Sequence, residues 1–223
     1  MFTKTKTDTL ICNVTLIPNW QIFMFLALIN FLVSFWSDRL IFTKELYYRL
    51  LSDQIELVRI DNLIELLKTY SLVSLIIIPI ILSVKLLFST LLLQLMLLLR
   101  YIEIKFSKLF RLIMFSSLIL TSGQVAHFVQ IYISSAENVT RKYLMVKPFA
   151  LATFLETNAY PPSSLFVLNQ CNVFEILWMG WIYHGLIQTG QIKKSEAALL
   201  SFNLWGVILF FHWLIYFFIE KLQ

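Results

Sequence analysis

The chain has 223 residues, 59% of them hydrophobic and 14% charged, and its 18 basic against 13 acidic side chains leave a net charge of +5. A soluble domain carries about 25% charged residues, so this composition excludes an ordinary water-soluble enzyme or binding module. The basic residues fall mainly between apolar runs, as flanks facing a negative membrane surface do, and form no nucleic-acid footprint.

Lys4 and Lys6 precede the first apolar run, residues 20–36. That run ends in Phe35-Trp36-Ser37-Asp38-Arg39, which lacks the small-x-small pattern of a cleavable signal, so a retained anchor helix is expected. Asn13-Val14-Thr15 and Asn138-Val139-Thr140 match the glycosylation triplet, a pattern that arises easily by chance.

Residues 44–68 carry charges of both signs, with Leu46, Leu50, Leu57, Ile60, Ile64 and Leu67 recurring at helical spacing. This predicts an amphipathic surface helix with a break near Ser52-Asp53. Its apolar face either rests on the bilayer or bundle, or docks a partner through Leu57 and Ile64.

Residues 70–99 contain one charge, Lys85, and Pro79. They read as one long kinked or tilted crossing, or as two short helices turning at Lys85. The basic connector with Arg100, Lys105, Lys108 and Arg111 leads to a third membrane segment, 109–134. The loop 135–171 has an apolar middle, Phe149 to Leu155, too short to span, and is expected to fold back on the bundle. Segments 172–190 and 199–219 form a final antiparallel hairpin around Lys193-Lys194. The expected fold is therefore all-α: a polytopic transmembrane bundle of about five membrane helices plus the amphipathic helix, in a single domain. Placing Arg100–Arg111 in the cytoplasm puts Lys193 and Lys194 there too. Five crossings put the amphipathic helix outside, and six put it inside; helix length favours the first and basic-residue bias the second.

Polar groups inside such segments are expensive and so mark candidate sites. Gln124, His127 and Gln130 form a stripe on the third segment, read either as a hydrated path or as mutual hydrogen bonding in the core. Glu175 opens the fourth segment, where a carboxylate suits the helix dipole, and a pair with Lys85 is conceivable. His184 lies further along that segment and His212 in the last one. Nothing in their spacing supports a metal or a haem, and no cofactor is expected. Nucleophile patterns, phosphate-binding glycine loops and HExxH are absent, so no catalytic residue is assigned. Cys12 and Cys171 fit no metal or redox spacing.

From about Tyr70 onward the chain resembles the bacterial branch of the Yip1-like membrane proteins. The resemblance rests on Phe106-Ser107-Lys108-Leu109-Phe110-Arg111, on Leu168 with Asn172-Val173-Phe174-Glu175-Ile176-Leu177-Trp178, and on Lys193-Lys194-Ser195-Glu196-Ala197-Ala198. The front part, with Ile60-Asp61-Asn62-Leu63-Ile64 and Ile78-Pro79, is similar to uncharacterised membrane proteins of Bacteroidetes-type bacteria. The chain departs from the family at Ser116-Ser117, where a Tyr and a Pro usually stand. The resemblance implies a five-helix bundle, a role in trafficking or membrane assemblies, and no catalytic residues.

The leading expectation is a non-enzymatic subunit or accessory protein of a larger envelope assembly, serving secretion, transport or energy coupling. It would sit in the bacterial inner membrane, with lipid and other membrane-protein subunits as its partners. The alternative is a small transporter or permease with a polar path through the bundle. A lipid-modifying membrane enzyme comes third.

Overall fold

The computed structural model describes residues 18–52, 56–134, 143–144, 146–155 and 162–222. Among them all regular structure is helical. Helix α1 (Asn19–Trp36) starts after Pro18, whose fixed φ and carbonyl suit a helix entry, and it ends in a π turn over Ser37–Ile41. Helix α2 (Lys44–Leu51) is capped by Thr43, whose hydroxyl accepts from the Leu46 N–H at 3.4 Å. Helix α3 (Leu57–Leu98) has 42 residues. The apolar half of the amphipathic segment therefore does not form a separate helix. It is the first part of α3 and continues without interruption into the membrane segment. At 1.5 Å per residue α3 is about 63 Å long, twice the roughly 30 Å that a bilayer core requires.

The apolar stripe of that extension is covered by the chain itself. α2 packs on α3, the Tyr48 hydroxyl donates to the Asp61 carboxylate, and Ile60 and Ile64 are buried. Ile64, expected as a docking residue, is 4% exposed, whereas Leu57 is 62% exposed. Of that pair only Leu57 presents a surface to a partner.

Helix α4 (Phe106–Ile133) returns beside α3. It is followed by a short 3-10 turn (Leu151–Phe154), α5 (Pro162–Gln170), α6 (Val173–Gln188) and α7 (Lys194–Leu222). Four helical segments are long and apolar enough to cross a membrane: Asn19–Ile41, Ile76–Leu98, Phe106–Ile133 and Lys194–Phe218. They mark the chain as a membrane protein. Over the segment 172–190 the chain forms the 16-residue α6, about 24 Å long and by itself shorter than the bilayer core, with α5 directly before it.

α6 runs antiparallel to α4. A Cβ on Gly185 would meet the Leu112 side chain, and one on Gly123 would meet Phe174. The small residues at these two points let the helices approach closely. This pairing sets the C-terminal end of α6 level with the start of α4, and the N-terminal end of α6 near the middle of α4. The Arg100–Lys105 and Thr189–Lys193 connectors thus share one end of the bundle.

The core fills that end. Leu86, Leu93 and Leu97 of α3, Leu109, Ile113 and Met114 of α4, Ile182 and Leu186 of α6, and Leu200 and Leu204 of α7 are all buried together. With no water to drive association between spans inside lipid, this packing and the helix hydrogen bonds hold the bundle. Toward the other end, the apolar filling gives way to polar groups.

Candidate functional site

α5 and α6 form one broken helix, and the break at Cys171-Asn172 lies in the interior of the bundle. Asn172 is extended (φ −130°, ψ 165°), and its side-chain oxygen accepts from the Glu175 N–H at 3.0 Å, capping α6. The other edge of the side chain donates to the Asn169 carbonyl at 3.0 Å. Both asparagines are buried, so one amide satisfies the ends of both half-helices.

The loop before the 3-10 turn is stitched to this break. The Leu151 N–H donates to the Cys171 carbonyl at 3.0 Å, and the Lys147 N–H to Asn169 Oδ1 at 3.3 Å. Lys147 Nζ donates to Gln170 Oε1 at 2.7 Å. His127 Nε2 lies 3.2 Å from the Leu144 carbonyl, tying the same loop to α4. Phe149 takes the left-handed conformation (φ 57°), unusual for a bulky residue, and its ring lies 6.4 Å from that of Phe174.

Between the broken helix, the loop, α3, α4 and α7 lies a cavity of about 180 Å³. Lys85 and Ser89 reach it from α3, Ser117, Gln124 and His127 from α4, and His212 from α7. Lys147 and Pro148 come from the loop, and Asn172, Glu175 and Trp178 from the break and α6. Lys85, Leu120 and Ile208 lie near the middles of their crossing segments, so the cavity sits at mid-depth.

The electrostatics are unbalanced. Two ammonium groups, Lys85 and Lys147, face one carboxylate, Glu175. Among the described residues, none of the three makes an ion pair within 4.0 Å. Lys85 and Glu175 thus share a cavity without closing into the pair conceivable from the sequence. Burial depresses the Lys147 pKa below its ordinary range; the Glu175 carboxylate opposes this and the Lys85 charge reinforces it. His127 Nδ1 and Trp178 Nε1 are buried and find no hydrogen-bond partner among the described residues. His127, His212 and Glu175 do not converge into a group able to hold a metal ion.

Of the candidates read from the sequence, Lys85, Gln124, His127 and Glu175 meet in this cavity. Gln130 does not; it lies beyond His127, with its Oε1 buried and unpartnered. His184 is exposed elsewhere on α6, edge-on to Tyr183. Sequence reading missed the roles of Lys147, Asn172 and Trp178. Asn172 carried a signal, since an Asn three residues before a Glu at the start of an apolar run marks a helix N-terminus. Lys147 carried none, because only the folded loop brings it inward. Cys12, Asn13 and Asn138 lie outside the described residues. Comparison with known protein families, curated proteins and solved structures finds no match for this chain.

Proposed function

We propose that the protein is a small membrane carrier, a permease of the bacterial inner membrane, with the mid-depth cavity as its solute-binding site. One observation carries this reading: Lys85 of α3, Lys147 of the loop and Glu175 beside the helix break share a cavity halfway across the bundle without closing into an ion pair. Charges held there are costly and belong to a bundle whose interior handles a polar cargo. Broken helices are tolerated at membrane depth where they line a cavity, and they supply helix ends for ligand groups. A purely structural bundle would fill the same space with side chains of the kind packed below it.

The test is solute exchange by the purified chain in liposomes loaded with a labelled extract of small metabolites. A subset of solutes should leave faster than from protein-free liposomes. His127→Ala should abolish that flux at an unchanged amount of folded protein. Flux indistinguishable from that of protein-free liposomes across the whole extract would overturn the reading.

A second reading, as a subunit of an envelope assembly, draws on the projecting start of α3, where Leu57 and Val58 stay exposed. Mixed charges around them suit another membrane-protein chain better than a lipid surface, which favours Lys and Arg. Leu57→Asp should then release co-purifying chains while Ile64→Asp, at a buried site, should lower the stability of the α2–α3 hairpin. Unaltered co-purification in the Leu57 variant counts against this reading.

A further inference from the structure

We infer that the cavity takes a small monocarboxylate, with its carboxylate on Lys85 and its apolar body against Trp178 and Trp205. The inference rests on the cavity being the protein's solute site and adds the chemical class of the solute.

The charge count sets the sign. Glu175 is the one carboxylate facing two ammonium groups, and of those two Lys147 is anchored to Gln170. The lining thus carries one ammonium group more than it has carboxylates, and Lys85, which has no ion pair within 4.0 Å, is the one left to meet a ligand at mid-depth, where an unpaired charge is most expensive. A single negative charge on the ligand neutralises the site; a cation would double the imbalance. Lys85 itself is accessible and lines the cavity.

The walls set the rest. Trp178, Trp205, Phe174, Leu120 and Ile208 give the cavity a broad apolar side, which offers nothing to a hydrated inorganic ion. Its volume is several times the roughly 30 Å³ share of one water molecule, enough for a short hydrocarbon body. An anion with a short apolar tail satisfies both walls at once; chloride or phosphate satisfies only one.

The experiment is equilibrium binding of radiolabelled butyrate to the full chain in nanodiscs, with competition by valerate, butylammonium and chloride. Saturable binding displaced by valerate, and not by butylammonium or chloride, is expected. Lys85→Gln should weaken it about ten-fold or more, the scale of one lost charged hydrogen bond, while Lys85→Arg should retain it. Absence of saturable butyrate binding to the unmodified, monodisperse protein at millimolar concentration would overturn the inference, whatever the variants do. So would equal displacement by chloride, which marks an inorganic-anion site, or unchanged affinity in Lys85→Gln, which puts the anion elsewhere. Butyrate binding without butyrate flux in liposomes would overturn the carrier reading and leave this one standing. Flux of other solutes without butyrate binding would do the reverse.

Discussion

The Lys147 ammonium donates to the side-chain oxygen of Gln170 across 2.7 Å, joining the loop to the last residue of the first half-helix. A bond to a charged donor inside a bundle is worth more than one at the surface, and losing one partner leaves the charge exposed to an apolar surrounding.

Gln170→Leu should therefore destabilise the folded chain by about 1.5–3 kcal/mol, read as a lower thermal midpoint in detergent. Lys147→Met in the same background should restore part of the loss, since it removes the stranded charge. Two independent, additive losses would show that the two side chains are not coupled.

Tyr101 supplies a prediction of the opposite sign. It has φ 58° just past the end of α3, where the Tyr101 N–H donates to the Leu98 carbonyl at 2.9 Å and the Ile102 N–H to the Leu97 carbonyl at 3.0 Å. That is the paired helix-ending motif in which glycine normally occupies the left-handed position. Tyr101 is 97% exposed and has no packing to lose. Tyr101→Gly should stabilise the protein by about 1 kcal/mol, seen as a raised thermal midpoint; a lowered one would assign the ring an anchoring role at the membrane interface.

The glycines separate by what stands opposite them. A Cβ on Gly123 would come 2.8 Å from Phe174 Cγ, the root of a ring wedged at the start of α6. One on Gly185 would come 2.1 Å from the tip of Leu112, which can rotate away. Gly180 has open space. Alanine should thus be most damaging at 123, milder at 185 and harmless at 180, as judged by the yield of monodisperse protein. A different order would mean that α4 and α6 do not approach as described.

Because the two short basic connectors share one end of the bundle, their sidedness must agree. Cysteines introduced as Glu103→Cys and Ser195→Cys, with Cys12 and Cys171 replaced, should both be shielded from an impermeant thiol reagent in intact cells, since basic short loops stay cytoplasmic. Labelling of one and not the other would break the antiparallel arrangement of α4 and α6.

The helical class and the location of the crossing segments were legible in the sequence because long apolar runs have few other uses. The stretch from Leu57 into the membrane was harder. Charges on its exposed face change the composition at Tyr70, but nothing there stops a helix, and α3 runs through. The broken helix was hidden for the opposite reason. Its two halves are joined by Cys171-Asn172, with neither proline nor glycine at the joint, and the stop combines the local cap made by Asn172 with a bond from the loop, the Leu151 N–H to the Cys171 carbonyl. Half of the cavity was visible as isolated polar residues in apolar runs. The rest depended on Lys147, whose inward course is decided by the fold of its loop.

The dry packing between the cavity and the basic connectors is a plug. In the carrier proposed above, a solute resting on Lys85 would reach the far compartment only if Leu86, Trp178, Ile182 and Leu204 parted, and those side chains are 0–3% exposed. Opening that seam exposes apolar surface at about 25 cal/mol per Å², so under the proposed function the plug would set the height of the barrier to passage. Shaving Leu204 or Leu186 to alanine would then be the shortest route from a gated carrier to a leaking one.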